Sequence, residues 1–406
     1  MKIRSLALLW LVIIVTACTG QTAFPSASAV SVPGTSSAVT VTATQVLPSL
    51  TPSAETRPLP TVTFEKGPYL VPGSDPASIS ILWQSKDAAA YWVEAGTDST
   101  YALGRVAPSS VTSDGLAKAT VSNLQPGTHY LYRVTNGKSQ APGSFNTPSG
   151  SVDSLTFWVY GDSRSGQATL NTINGDILSS IQTTPADQTF VLFSGDIMDL
   201  ANEGNLQADQ FDPRYTSTRQ MMSELQMINT MGNHDGTKIF IKYFPYPFAG
   251  KFYWSFDYGP AHVAVVDQYA DTSPASAQWQ WLEKDLSTST QPWKFILLHE
   301  PGWSAGPHPN NEGVQKIIQN IAYHQHVAVI FAGHNHYYAR AEVDGVVHIT
   351  TGGGGAPLYD PLPGEPNVIL AKKEFHYLKV QISGNQLTAT AYMPDNQIID
   401  QFTIQQ

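Results

Sequence analysis

Cysteine is nearly absent from these 406 residues, with Cys18 the only one. A lone thiol cannot close an internal disulfide, and thiolates are missing from every candidate ligand cluster. Positive charge is also scarce. With 22 Lys plus Arg against 32 Asp plus Glu, the formal net charge is −10. The chain therefore lacks the clustered cations that neutralise a nucleic-acid backbone or hold a polybasic segment on a membrane, and nucleic acid is not an expected partner. The apolar run Leu6–Val15 is too short to span a bilayer as a helix. No internal repeat is evident. The run Gly352–Gly355 is followed by neither Lys-Ser nor Lys-Thr nor a helical pattern, which argues for a tight turn and against a phosphate loop.

Residues 1–18 place Lys2 and Arg4 before that apolar run and Thr16-Ala17-Cys18 after it, the charge, apolar and small-residue order of a secretory signal. Val15-Thr16-Ala17-Cys18 resembles a bacterial lipobox, which implies an exported protein of the cell envelope, anchored to the membrane through lipidated Cys18; the alternative is an ordinary signal peptide that happens to contain a cysteine, on a secreted protein. Residues 19–62 are rich in Ser, Thr, Ala, Val and Pro and almost uncharged, so they bury too little apolar surface to offset chain ordering and read as a tether.

A change of pattern follows. Residues 63–148 alternate as strands do, in Ile79-Ser80-Ile81-Leu82-Trp83 and Tyr91-Trp92-Val93-Glu94-Ala95, and predict an all-β sandwich. The stretch Leu124-Gln125-Pro126-Gly127-Thr128-His129-Tyr130 resembles the tyrosine corner of a fibronectin type III domain. From residue 152 to 406 short apolar strands alternate with amphipathic segments at Ala168–Ile181, Ala275–Leu286 and Gly313–Tyr323. His348–Thr351, His376–Ile382 and Gln386–Met393 read as later strands.

Five of the strand-like runs end in polar clusters: Tyr160-Gly161-Asp162, Ser194-Gly195-Asp196, Gly232-Asn233-His234-Asp235, Leu298-His299-Glu300 and Gly333-His334-Asn335-His336. Asp, Asn and His supply oxygen and nitrogen donors suited to first-row metals, and a carboxylate can bridge two ions. Clusters at the C-terminal ends of strands converge on one cleft in an open α/β sheet. Four of the 11 histidines fall in three of these motifs.

The ordered set resembles the calcineurin-like metallophosphoesterase superfamily, and Gly333-His334-Asn335-His336-Tyr337-Tyr338-Ala339-Arg340 resembles its purple acid phosphatase branch. The resemblance implies an α+β fold, a four-layer αββα sandwich preceded by the fibronectin type III-like sandwich. It also implies hydrolysis of small phosphate esters at two metal ions per chain, Fe, Zn or Mn. Asp196 would bridge, Asp162 and His336 would hold the first ion, and Asn233, His299 and His334 the second. His234 would meet the phosphoryl group or the leaving oxygen, with Asp235 orienting its ring. His308 is either a further histidine beside the leaving group or a plain exposed one.

Two positions depart from the family. Arg164 stands where the superfamily has a histidine; a guanidinium cannot ligate a metal but suits a phosphate oxyanion, the alternative being a surface salt bridge. Asp199 stands where purple acid phosphatases have a tyrosine, so their charge-transfer colour should be missing. Asp199 either replaces the ligand as an oxygen donor or holds its loop by local hydrogen bonds. The leading expectation is a phosphomonoesterase. A phosphodiesterase using the same site and a cell-surface binding protein with a degenerate metal domain are the alternatives.

Overall fold

The computed structural model describes residues 59–406 apart from positions 88, 152 and 272; the signal segment, Cys18 and nearly all of the tether lie outside the described residues. Backbone pairing is already present at residues 60–62, where the Gln140 N–H donates to the Pro60 carbonyl at 2.9 Å and the Val62 N–H to the Gln140 carbonyl at 2.8 Å.

Phe190–Phe193, Gln226–Asn229 and Val327–Ala332 are among the strands buried at every residue, and they show no period of two because both faces are covered. The first two belong to a ten-stranded sheet. Its spatial order is Ile398–Gln405, Gln386–Tyr392, Tyr377–Ser383, Ser154–Tyr160, Phe190–Phe193, Gln226–Asn229, Lys66–Pro72, Ile79–Gln84, Leu116–Val121 and Ser110–Val111. Ser154–Tyr160, Phe190–Phe193 and Gln226–Asn229 run parallel, so their C-terminal ends share one edge. A seven-stranded sheet contains Trp254–Tyr258, Ala261–Val265, Trp293–Leu297, Val327–Ala332, Val346–Thr351, Tyr338–Val343 and Val368–Lys372, and its motif-bearing strands are parallel too.

Phenylalanines join the two sheets. Phe157 stacks on Phe190 at 5.1 Å and meets Phe295 edge-on at 5.3 Å. Helix α1 (Gln167–Thr183) buries Leu170, Ile173, Ile177 and Ile181, three or four apart, on the outside of the first sheet, with α2 (Glu203–Gln210) and α3 (Thr216–Glu224) beside it. After α4 (Thr237–Tyr243), α5 (Ala277–Thr288) and α6 (Gln319–His324) cover the second sheet, packing Trp279, Leu282 and Ala322 against Ala264, Ile296 and Ile330. The Ser276 side chain accepts from the Trp279 N–H and caps α5. The result is the αββα order. The segment expected as a helix over Gly313–Tyr323 is helical throughout, with a π-helical turn at Val314–Ile318 running into α6.

The N-terminal sandwich has its own core, including Phe64, Ile81, Trp83, Val93, Tyr132 and Phe145, each worth about 2 kcal/mol of burial. Tyr130 Oη accepts from the Gln125 N–H at 2.9 Å, tying the corner to the strand His129–Thr135. Its second sheet holds Gly104–Val106, Trp92–Gly96, His129–Thr135 and Gln140–Asn146. The first is continuous with the ten-stranded sheet, because Lys66–Pro72 pairs in parallel with Gln226–Asn229 through Leu70 and Gln226. Sequence patterns cannot reveal such a seam. Arg219 strengthens it by donating to the carbonyls of Phe64 and Gly67 at 2.9 and 2.8 Å.

Candidate metal centre

Asp162, Asp196 and His334 all have left-handed backbone, at φ 55°, 56° and 68°. Non-glycine residues adopt this conformation rarely and at a cost, and such strain collects where side chains must be aimed. Two glycines make room. A Cβ on Gly232 would overlap the Asp196 carboxylate, and one on Gly333 the Asp162 carboxylate.

Donor atoms of Asp162, Asp196 and His336, all buried, lie within 4.8 Å of one another. His336 Nε2 is 3.5 Å from Asp162 Oδ1. Beside them, Asn233 Oδ1 lies 2.9 Å from His299 Nε2 and 3.0 Å from His334 Nδ1. Asp196 stands between the groups, with Oδ1 3.5 Å from His299 Nε2. The six residues from five strand ends thus meet in one place.

Hydrogen bonds behind the rings decide which nitrogens face inward. His299 Nδ1 donates to the Ser194 carbonyl at 2.7 Å and His336 Nδ1 to the Pro357 carbonyl at 2.8 Å; a carbonyl only accepts, so each neutral ring presents the Nε2 lone pair to the centre. The contact between His299 Nε2 and Asn233 Oδ1 then sets two acceptors face to face, an arrangement that a cation between them or a proton on the ring relieves. Burial alone would lower the His299 pKa, but Asp196 and Asp162 outweigh it and raise it. Burial, aided by His299 and His308, pushes His334 down to about 3 and keeps it neutral. Nitrogen and oxygen donors without thiolate, lone pairs converging and backs anchored, fit a first-row metal site.

Residues 155–338 match the family described as Calcineurin-like phosphoesterase, and residues 66–147 match Purple acid Phosphatase, N-terminal domain. Residues 155–338 thus form a calcineurin-like phosphoesterase domain and residues 66–147 a domain of the purple acid phosphatase N-terminal type. It is 28% identical to Purple acid phosphatase 22 of Arabidopsis thaliana over 58% of this chain and 57% of that protein. It is 27% identical to a purple acid phosphatase of Glycine max over 66% of this chain and 63% of that protein. The chain spans less than two thirds of the length of these curated relatives. A purple acid phosphatase structure from yellow lupin (Lupinus luteus) seeds shares the fold, with a TM-score of 0.70 and 18% identity over 83% of this chain and 74% of that one.

Around the six residues, this calcineurin-like site differs from a simple reading of its motifs. Arg164 is no surface residue. Its side chain is 14% exposed, with Nε 3.3 Å from Asp196 Oδ2 and Nη1 2.9 Å from Asp199 Oδ1. Asp199 turns its carboxylate to Arg164, while its N–H donates to Asp209 Oδ2 at 2.8 Å. Its carbonyl, not Asp235, orients His234, receiving the Nδ1 proton at 2.7 Å. Asp235 instead accepts from the N–H groups of Gly232, Asp196 and Ile197 at 2.9, 2.9 and 3.1 Å, clamping two motif loops together. Burial and the neighbouring Asp196 charge push its pKa up. His308 lies over the site, its ring 4.3 Å from that of His334.

Sequence reasoning missed the residues that hold the loops. Asp209 accepts from the Ser165 N–H and the Gln167 amide at 3.3 and 2.6 Å, and Gln210 donates to Ser163 Oγ and the Ile197 carbonyl at 2.9 and 2.6 Å. Gln268 accepts from the N–H groups of His299 and Glu300 at 2.8 and 2.6 Å. The glycine run at 352–355 lies against the first motif: the Gly354 N–H reaches the Gly161 carbonyl at 2.9 Å and the Ala356 N–H the Asp162 carbonyl at 2.8 Å.

Proposed function

We propose that this chain hydrolyses phosphate esters at a centre of two metal ions, one held by Asp162 and His336, the other by Asn233, His299 and His334, with Asp196 shared. The convergence of the Asp162, Asp196 and His336 donors beside the Asn233 group carries the reading. The donor set suits Fe, Zn or Mn. When bound, such ions supply Lewis-acid charge to the phosphoryl oxygens and acidify a water.

The chain's own residues do the rest. Arg164, held from two sides, offers its remaining guanidinium N–H groups to a phosphoryl oxygen. His234 is anchored at Nδ1 on a carbonyl, a bond available to the charged ring as well as the neutral one, which leaves Nε2 to hand a proton to the departing oxygen. His308 stands by to assist on the same side as His334. Asp199 is assigned to fixing Arg164 and His234 rather than to a metal.

The natural substrates are assigned as phosphomonoesters outside the cytoplasm, with the enzyme tethered through lipidated Cys18. Untagged protein should carry about two equivalents of first-row metal per chain by elemental analysis and turn over an aryl monoester faster than the matching diester. Faster diester turnover would make it a phosphodiesterase. No turnover of either by metal-loaded protein would leave the binding-protein reading. Incorporation of labelled fatty acid, lost in Cys18→Ala, tests the anchor.

A further inference from the structure

Seven segments surround the candidate centre: residues 161–166, 194–202, 230–236, 266–276, 298–313, 333–337 and 352–367. Arg164 is the single lysine or arginine in all of them, whereas Asp199, Asp267, Asp271, Glu300, Glu312, Asp360 and Glu365 add acid beyond Asp162, Asp196 and Asp235. Arg164 is itself engaged by Asp196 and Asp199. Lys373, just past the last segment, is paired with Asp360 at 2.8 Å. On these segments a second phosphate on a substrate would meet more carboxylates than cations, although Lys251 faces Asp267 and Asp271 from outside them. Like charges at such a rim repel across a Debye length of about 8 Å at physiological salt.

What the same segments do present is apolar. Among the described residues nine large hydrophobics are exposed, and three of them, Leu200 (59%), Leu362 (51%) and Tyr269 (41%), lie on these segments. Tyr359 stacks on the His336 ring at 4.2 Å with 13° between planes, and meets the His308 ring at 5.3 Å. Leu362 lies against Gly306, in the segment that carries His308, and its N–H donates to the Ala305 carbonyl at 2.7 Å. Tyr359 and His308 therefore stand beside His336, and Leu362 covers the backbone at Gly306 that leads to His308. Tyr269 reaches Glu300, next to His299, at 3.2 Å.

We propose that the site selects monoesters of aromatic or otherwise apolar, uncharged alcohols and discriminates against polyanionic substrates such as nucleoside triphosphates and inositol polyphosphates. The inference rests on the phosphate-ester reading above. The phosphoryl dianion is met by the ions and Arg164, while an aromatic alcohol gains from leaving water against Tyr359 and Leu362.

The test compares 2-naphthylmethyl phosphate with glycerol 2-phosphate, ATP and inositol hexaphosphate on the metal-loaded full chain. The first two are both alkyl esters, so their intrinsic reactivities are similar. The naphthylmethyl ester should show a kcat/KM about tenfold above glycerol phosphate and about a hundredfold above either polyanion. Tyr359→Ala and Leu362→Ser should shrink the ratio between the first two about fivefold, chiefly through KM, with the melting temperature checked for each variant. Equal kcat/KM values, a preference for the polyanions, or variants that leave the ratio unchanged would overturn the inference alone. An inert metal-loaded enzyme would overturn the phosphate-ester reading and the inference with it.

Discussion

The two halves of the proposed centre are furnished unequally. Around Asn233, His299 and His334 three neutral donors converge, and His299 is pinned from behind by the Ser194 carbonyl. Around Asp162 and His336 there is one nitrogen donor, the shared carboxylate, and an Arg164–Asp199 ion pair where a purple acid phosphatase would add a tyrosinate. The second half would hold its ion by donor number. The first depends on carboxylate charge, and a guanidinium 3.3 Å from Asp196 works against it. The first ion should therefore be the exchangeable one.

Removing the element common to both halves should do the most damage. Asp196→Asn deletes the shared charge and should lower kcat by about a thousandfold or more, with metal content falling below one equivalent. A variant that kept two equivalents and wild-type turnover would remove Asp196 from the centre. Brief dialysis against a chelator breaks the comparison more gently: about one equivalent should remain in the wild type, and the same one in Asp162→Ala, measured by elemental analysis. Loss of both ions at equal rates would make the halves equivalent. Asp199→Tyr sharpens the contrast. Loaded with Fe(III), that variant should acquire a visible absorption band absent from the wild type, and a colourless variant would mean that position 199 cannot reach the first ion.

A smaller effect is expected one layer out. Asp209 reaches Arg164 only through its loop neighbours, holding the N–H groups of Ser165 and Asp199. Asp209→Ala should cost about tenfold in kcat/KM, mainly as KM, and Asp209→Asn less. If Asp209 works by aiming Arg164, the Arg164→Ala background should absorb most of that loss, whereas additive losses would make its role merely structural.

Much of this was readable in the chain. The strands Ser154–Tyr160, Trp293–Leu297 and Val327–Ala332 stand where apolar runs predict them, since four to six buried residues bounded by turns leave little choice. The ligand candidates were legible because each is attached to such a run. Helix α2 was not, for an opposite reason. It buries Leu206 together with Asp209 and Gln210, so its inward face is polar and carries no apolar stripe. Asp235 was misread because adjacency in sequence to His234 is not adjacency of side chains: the carboxylate turns back to the backbone, and a distant carbonyl takes the ring. Tyr359 gives no sequence signal, since only folding brings its ring onto His336.

His262 supplies the contrasting case of a histidine away from the centre. Its Nδ1 meets Asp257 Oδ1 at 2.7 Å and its Nε2 meets Asp285 Oδ2 at 2.9 Å, so both nitrogens are engaged by carboxylates and neither offers a lone pair. Burial by itself would lower its pKa, but the two carboxylates prevail and raise it to about 9. A pKa raised above its unfolded value stabilises the fold fully below about pH 6.5, and that contribution is lost as pH rises through about 9. Because Asp257 is 46% exposed, the gain is discounted for solvent to on the order of 2 kcal/mol. Urea unfolding of the wild type and His262→Gln should therefore differ most near pH 6 and converge near pH 10. Metal loading should leave that difference unchanged, since the charge on this ring comes from carboxylates and owes nothing to the centre; a gap that instead widened with pH would show that His262 is held neutral.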